Sequence, residues 1–504
     1  MRIEDLAKKK LETVEIKGWV ANKRESKGLI FLNLRDGSGI VQCIVSMDTI
    51  GTSLFDKISS LGLESSLEIS GDLVQDDRQI GGVEIHVSTV KIIQSVNDYP
   101  IANKEHGADF LLDKRHLWLR SRRQWAIMRV RNTIVYSVHQ FFQKEGFVQM
   151  DAPILTANAC EGTSDLFTVD YFDQDAYLSQ SGQLYGEAMA MALGKIYTFG
   201  PTFRSEKSKT RRHLAEFWMI EPEMIFCDIF QNMDVIEKFI QFVVAEVLKK
   251  NKKELDVLER DTQSLEKVKN PFKRLSYDQS IEILKGKENV NGKSTLEVLE
   301  EEMEKLKEEK IQLEKNNLER LDIIRKGGIK KGKIAFHQST LDKQKQRIRQ
   351  IEEDLRNLPQ WLDSAANFQY GNDLGGSDET VLTKMFDVPV MVYDWPHEIK
   401  AFYMKRNPNN PKFARGVDLL APEGYGEIVG GGERETDLNW LREKIIEHNL
   451  PMSEFEWYLD LRRYGTVPHS GFGLGLERLV SWICKLNHVR EAIPFPRMFG
   501  RIEP

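Results

Sequence analysis

F-R-S-E-K-S-K-T-R-R-H-L-A-E-F-W-M-I-E-P-E-M, residues Phe203 to Met224, is the stretch whose reading decides the fold. Arg204 and Glu206 lead into a polar, basic loop with Lys207, Lys209, Arg211, Arg212 and His213. Beyond it Phe217, Met219, Glu221 and Glu223 recur at every second position. Side chains alternate along a strand with period two, so the spacing predicts strand, loop, strand, with these four residues on one face. Two carboxylates beside an aromatic ring on a strand face are unusual for plain core. The loop offers several cations to one anionic ligand, and arginine can grip phosphate through two N–H groups at once. A solvated hairpin with a charged tip would account for the composition as well.

Written out, R-H-L-A-E-F-W-M-I-E-P-E resembles motif 2 of the class II aminoacyl-tRNA synthetases, and the asparaginyl enzymes in particular. The resemblance extends on both sides. Upstream, Arg123–Glu145 predicts a long amphipathic helix, with Ile127, Val130, Ile134, Val138, Phe141 and Phe142 at helical spacing and Gly146 as its stop. With the strand that follows, up to Pro153, it resembles motif 1, which in this class forms the dimer interface. A helix packed on its own core would show the same periodicity. Downstream, G-F-G-L-G-L-E-R-L-V (Gly471–Val480) resembles motif 3. A lone glycine-rich run before a helix says little, but in order after motifs 1 and 2 it says much.

The resemblance implies roles. The chemistry would be attack of the amino-acid carboxylate on the α-phosphorus of ATP, which calls mainly for positioning and charge stabilisation. Arg204 matches the arginine that holds the α-phosphate and carboxylate, and Glu206 the residue that reads the adenine side. Arg212 and His213 match the loop on the γ-phosphate. Phe217 and Arg478 would stack on opposite faces of adenine. Glu161, in A-C-E-G-T-S, matches the carboxylate that binds the α-ammonium. Gln180 and Gln183, in L-S-Q-S-G-Q-L-Y-G-E, are neutral and suit a zwitterion. Aspartyl enzymes carry Q-S-P-Q-x-x-K, whose lysine pairs with the acidic side chain. Gly186 stands at that lysine position, so no cation awaits an acidic substrate there. Glu221 would accept from the amide NH₂ of asparagine and repel aspartate; a salt bridge to a neighbouring arginine is its structural alternative. Arg434, seven residues after Glu427, would donate to the side-chain carbonyl. Glu427, with Asp418 as a second acid, would meet Mg²⁺ on ATP. Lys400 and Tyr403 line up with substrate-side residues.

The chain of 504 residues is long enough for two or three domains. Strand-like runs at Val14–Val20, Leu29–Leu34, Ile40–Val45, Ser66–Val74 and Val83–Ile93, with a short helix after the third, follow the order of an OB-fold barrel. Such barrels stack bases on exposed aromatics. G-W-V-x-x-x-R, F-x-x-L-R-D and G-x-x-Q resemble the anticodon-binding barrel of aspartyl, asparaginyl and lysyl synthetases. Phe31 and Gln42 match the positions that read the middle anticodon uracil, and Arg24 a further contact to phosphate or base.

Between Lys285 and Lys333 the composition turns to Glu and Lys with few aromatics. Leu299, Leu306 and Leu313, then Leu341, Ile348, Leu355 and Leu362, step by heptads around Gly327-Gly328 and predict an antiparallel helical hairpin. No catalytic residue type stands there at a telling spacing. The expected layout is α+β: an OB-fold domain (1–95), a hinge (96–120), and a class II antiparallel sheet flanked by helices in two parts (121–285 and 365–504) around an inserted hairpin (286–364).

No run of about 18 apolar residues predicts a membrane span, and the N-terminus lacks an apolar signal core. The four scattered cysteines fit free thiols in a reducing cytoplasm rather than a zinc site. The net charge of −6 argues against bulk electrostatic binding of nucleic acid but leaves room for a local basic patch. The expected activity is asparagine–tRNA ligation in the cytoplasm by a homodimer, with L-asparagine, Mg·ATP and tRNA(Asn) as partners. An aspartyl enzyme is disfavoured by Gly186 and Glu221. A non-catalytic tRNA-binding paralogue is disfavoured by Arg204, Glu206, Glu427 and Arg478, and an asparagine synthetase on the same catalytic domain by the barrel.

Overall fold

The computed structural model describes all residues except 10–12, 80, 103, 105, 158–165, 209 and 329, and the side chain of 331. The chain divides into two compact units, Met1–Leu112 and Asp113–Pro504.

In the first unit β1 (Thr13–Ser26), β2 (Leu29–Arg35), β3 (Ile40–Ser46), β4 (Ser66–Gln75) and β5 (Val83–Gln94) close a barrel in the order β1-β2-β3-β5-β4. A helix, α1 (Thr52–Ser60), follows the third strand. This is the predicted OB-fold. Its inside is filled by alternate residues such as Ile16, Leu32, Cys43 and Ile69, all buried. Closure brings backbones together at Gly18, where a Cβ would lie 2.2 Å from the Arg35 carbonyl oxygen. Only glycine fits that crossing.

The second unit is built on an eight-stranded sheet. Its strands are β6 (Val148–Met150), β7 (Lys195–Phe203), β8 (Glu216–Ile225), β9 (Lys273–Ser276), β10 (Val390–Pro396), β11 (Phe413–Ala421), β12 (Gly426–Glu433) and β13 (His469–Gly475). Their order is β9-β10-β11-β12-β13-β8-β7-β6, with only the two outermost pairs parallel. The predicted strand–loop–strand is the antiparallel pair β7 and β8, whose register runs from Lys195↔Met224 to Phe203↔Glu216. The sheet is antiparallel at its centre, as expected of a class II catalytic domain.

Helix α2 (Arg122–Lys144) starts where the Ser121 side chain accepts from the Gln124 N–H, and the chain turns after it at Gly146 with φ 79°. Its apolar stripe is buried in the chain's own core with Phe239 of α4, below, and Phe472 of β13. That packing accounts for the periodicity, so the stripe by itself carries no argument for dimerisation. Helix α3 (Gln183–Leu193) and helix α4 (Ile229–Lys250), the latter opened by a reciprocal Asp228–Gln231 capping box, pack against the sheet.

The hairpin is α5 (Thr295–Lys326) and α6 (Lys331–Ala366) around Gly327 and Gly328, both at positive φ. Its root is not a free projection. Leu299, Leu306, Ile351, Leu358 and Ala365 are buried in one cluster with Tyr277, Val392 and Trp395 of the catalytic domain. Farther out the two helices hold each other, with Arg347 bidentate on Glu309 at 2.7 Å for both bonds. No helix among the described residues is long and apolar enough to cross a membrane.

Candidate active site

Two clefts in the second unit meet under the segment that joins β7 to β8. The first, of about 790 Å³, is closed by the start of helix α8 (Leu476–Cys484). It is lined by Arg204, Glu206, Arg212, His213, Phe217, Glu427 and Arg478, which are all of the residues expected at ATP. The Arg204 guanidinium lies 5.4 Å from the Phe217 ring centroid. Arg478 donates through Nη1 to the Glu427 carbonyl at 2.9 Å and to its Oε2 at 3.1 Å.

Two loop residues differ from simple phosphate cations. Arg212 is already held, donating to Glu379 Oε2 and to the Gly424 carbonyl, each at 2.7 Å. Glu379 belongs to a helix, α7 (Gly376–Lys384), and the same oxygen accepts from the Glu427 N–H at 3.2 Å. Burial, reinforced by the nearby Glu427 carboxylate, pushes the Glu379 carboxyl up to about 7. A Cβ on Gly426 would fall 2.1 Å from that oxygen, at a φ of +65°, so glycine is required there twice over. His213 is surrounded by hydroxyls: Ser208 Oγ lies 3.1 Å from its Nδ1, with Thr210 Oγ1 also in contact. Burial and then the Arg478 charge hold its pKa below the ordinary histidine value. Without ligand it is therefore a neutral ring, not one of the loop's cations.

The second cleft, of about 930 Å³, shares Arg204, Met219, Glu427 and Gly473 with the first. Its wall includes Gln183, Glu221, Glu223, Lys400, Asp418 and Arg434. Glu221 is buried, with its Oε2 accepting from the Gly182 N–H at 2.9 Å and from Thr198 Oγ1 at 3.0 Å, and its Oε1 from Ser181 Oγ. The buried ion pair beside it is at Glu223. Arg434 donates to Glu223 through Nη2 at 2.5 Å and through Nε at 3.3 Å, and both are almost wholly buried. The expected pairing of Arg434 with Glu221 around one ligand is thus modified, because the arginine's fork already faces Glu223. Burial, with Glu187 adding to it and Arg434 opposing, pushes the Glu223 carboxyl up to about 7.

Gln183 opens α3 and donates its amide to Glu187 Oε1 at 3.1 Å, one helical turn on. Glu187 is a hub that also accepts from Tyr458, Arg462 and His469 at 2.7–2.9 Å. Gly186 and Gln180, expected among the amino-acid contacts, are buried off the wall. Gly186 acts by having no side chain, since its Cβ would press at 3.3 Å on Glu223 Cγ. Glu161 lies outside the described residues.

Asp418 is neutralised by Lys400, whose Nζ donates to Oδ2 at 2.6 Å. A Cβ on Gly430 would lie 2.9 Å from Glu427 Oε1 and 3.5 Å from Asp418 Oδ1. Two acidic oxygens therefore converge on a space that only glycine leaves open.

In the barrel Phe31 and Gln42 lie on the half-exposed face of β2 and β3. The Arg24 guanidinium covers the Phe31 ring at 4.5 Å, so it competes with a base for that face. Gln42 donates its amide to Glu84 at 3.0 Å.

The family described as class II tRNA synthetases (D, K and N) matches residues 107–499, and the OB-fold nucleic-acid-binding family matches 14–93. The asparagine–tRNA ligase of Sorangium cellulosum is 46% identical, over 98% of this chain and 96% of that one. The asparagine–tRNA ligase of Pelotomaculum thermopropionicum is 44% identical over 98% and 97%. The chain belongs to the asparaginyl-tRNA synthetases. Among solved structures, the Pyrococcus horikoshii asparaginyl-tRNA synthetase complexed with asparaginyl-adenylate matches with a TM-score of 0.80 at 37% identity, covering 100% of this chain and 99% of that one.

Sequence reasoning missed two carboxylates that hold residues of these clefts, Glu187 and Glu379. Glu187 had a usable signal, a lone carboxylate four residues after Gln183 in an otherwise apolar helix. Glu379 had none, because it reaches Arg212 across 167 residues of chain.

Proposed function

We propose the following division of labour within this asparagine–tRNA ligase. ATP occupies the first cleft and asparagine the second, and the reacting atoms meet at the shared edge. A carboxylate oxygen of asparagine attacks the α-phosphorus, the bond to pyrophosphate breaks, and asparaginyl-adenylate forms. The terminal hydroxyl of tRNA(Asn) then attacks the carbonyl carbon and AMP leaves. The observation that carries this is Arg204, which lines both clefts and so stands where negative charge builds up in the first step.

Phe217 and Arg478 sandwich the base. Glu427, with Asp418 through its Oδ1, would hold Mg²⁺ in the opening at Gly430; the ion, when bound, neutralises phosphate charge. Gln183 faces the α-ammonium. Glu221 accepts from the asparagine side-chain amide. Arg434 donates to its carbonyl, but as one half of an ion pair. Two carboxylates against one guanidinium leave that wall net negative, which repels aspartate. Phe31, Gln42 and Arg24 read the anticodon. A homodimer in the cytoplasm follows from the family resemblance.

The test is amino-acid-dependent ATP–pyrophosphate exchange without tRNA. Exchange with asparagine alone is expected. Exchange with aspartate would keep the chemistry and overturn the substrate, and silence with both would point to a non-catalytic paralogue. A second expectation concerns His213. Its pKa is lowered in the free protein, and phosphate beside it would raise it, so ATP binding should take up a proton and tighten as pH falls from 7 to 6. Calorimetry in buffers of different ionisation enthalpy reads this directly. Uptake that persists in His213→Asn removes His213 from the phosphate site.

A further inference from the structure

The hairpin is electrically polarised along its length. Residues 320–349, its outer end, hold ten Lys and Arg against two Asp. The inner parts are the reverse: nine Glu against four Lys over 297–319, and four acids against one Arg over 350–366. In a chain of net charge −6 this is a concentrated basic patch. Arg325, Lys330, Lys333 and Lys345 are exposed and make no ion pair among the described residues. Phe336, 64% exposed, stands among them with Ile334 and Leu318. Cations interleaved with an exposed aromatic ring suit a nucleic-acid strand, through phosphate contacts and stacking.

The root of the hairpin fixes where this patch is presented. Glu353 of α6 pairs with Arg211 of the motif 2 loop, and Glu302 of α5 with Lys384 of α7 at 2.6 Å. The hairpin therefore rises beside the cleft that the tRNA 3′ end must enter. From Ile351, the outermost residue of α6 in the domain core, to Lys333 the helix rises roughly 27 Å at about 1.5 Å per residue, with Lys343 reaching back to Glu259 on the way. Near the tip the Arg320 Nη1 contact to His337 Nδ1, at 3.2 Å, ties the two helices together.

We propose that the basic outer end of the hairpin binds the phosphate backbone of the tRNA acceptor arm while the 3′ end lies in the active site. The acidic inner part repels phosphate, so the contact falls at the tip and not along the whole hairpin. This rests on the tRNA ligase activity proposed above, but it assigns a binding surface outside both the anticodon barrel and the reacting centre.

The test is the fourfold variant R325Q/K330Q/K333Q/K345Q. ATP–pyrophosphate exchange with asparagine needs no tRNA and should be unchanged, which also reports an intact fold. The KM for a tRNA(Asn) transcript in aminoacylation should rise about tenfold or more at low salt, and the slope of log KM against log salt should fall by up to about 3. A minihelix of the acceptor arm, without the anticodon, should bind the unaltered protein and lose that binding in the variant. An unchanged KM and salt slope would overturn the proposal. So would a variant that weakens whole tRNA but binds the minihelix as before, since the contact would then lie elsewhere on the tRNA. Absence of exchange in the unaltered protein would instead strike the ligase reading itself.

Discussion

Glu223→Gln is expected to let this synthetase activate aspartate. Arg434 is the only cation in contact with Glu223 among the described residues, and the pair is buried against β13, where a Cβ on Gly471 would meet Glu223 Oε1 at 2.1 Å. With Glu223 ionised, Arg434 is a neutralised donor, suited to a carbonyl. With glutamine in its place the guanidinium keeps a hydrogen-bond partner but regains its charge. A unit charge about 5 Å from a substrate carboxylate is worth about 3 kcal/mol at an effective dielectric constant of about 20. The expected gain in kcat/KM for aspartate in exchange is therefore about 100-fold. The unaltered enzyme should show a weaker form of the same effect. Burial, with Glu187 adding to it and Arg434 opposing, puts the Glu223 carboxyl at about 7, so it takes up a proton as pH falls from 8 to 6. Aspartate stays ionised over that range, so relative exchange with aspartate should rise as pH falls, and Glu223→Gln should flatten the profile. Glu223→Ala is a different experiment: it strands a buried guanidinium and should cost about 3–5 kcal/mol in denaturant unfolding. No aspartate exchange in Glu223→Gln, with asparagine exchange retained, would remove Glu223 from the specificity account.

The parts that were legible in the sequence have local causes. Alternation along β8 follows from the period of a strand, and the loop before it concentrates cations within ten residues. The barrel announced itself through five alternating runs whose buried halves the structure places inside. What stayed hidden depends on contacts distant in sequence. Glu221 and Glu223 look equivalent on β8, yet one accepts from hydroxyls and a backbone N–H 23 to 40 positions away and the other from an arginine 211 positions away. The hairpin is a similar case. Heptad spacing is the same whether a leucine meets the sister helix or the domain core, so Leu299 and Leu306 gave no sign that they seal the catalytic domain. Gly186 was informative through absence, but only the structure shows that the space is filled by Glu223.

Glu221→Gln should relax discrimination further, by removing the charge that stands nearest the entrance of α3. The substitution is geometrically mild. The Gly182 N–H and Thr198 hydroxyl both donate to Oε2, so a glutamine must place its carbonyl oxygen there. Its NH₂ then takes the Oε1 position, where the Ser181 hydroxyl can rotate from donor to acceptor. Ser181 itself lines the second cleft, so the new NH₂ replaces an acceptor on the wall with a donor. Asparagine loses an acceptor for its amide, and aspartate gains a donor in place of a like charge. Sites built on polar pairing reject the wrong partner by roughly 10⁴–10⁵, and reversing one such contact should remove about 10²–10³ of that. The measurement is exchange with asparagine and aspartate at pH 8, where Glu223 is ionised and its own effect is smallest. Both kcat/KM values should move, in opposite directions, with the KM for ATP unchanged because Glu221 does not line the first cleft. A fall in both together, with normal ATP binding, would mean that Glu221 only braces the Ser181–Gly182 turn, and the choice between amide and acid would then have to come from Glu223 and Arg434 alone.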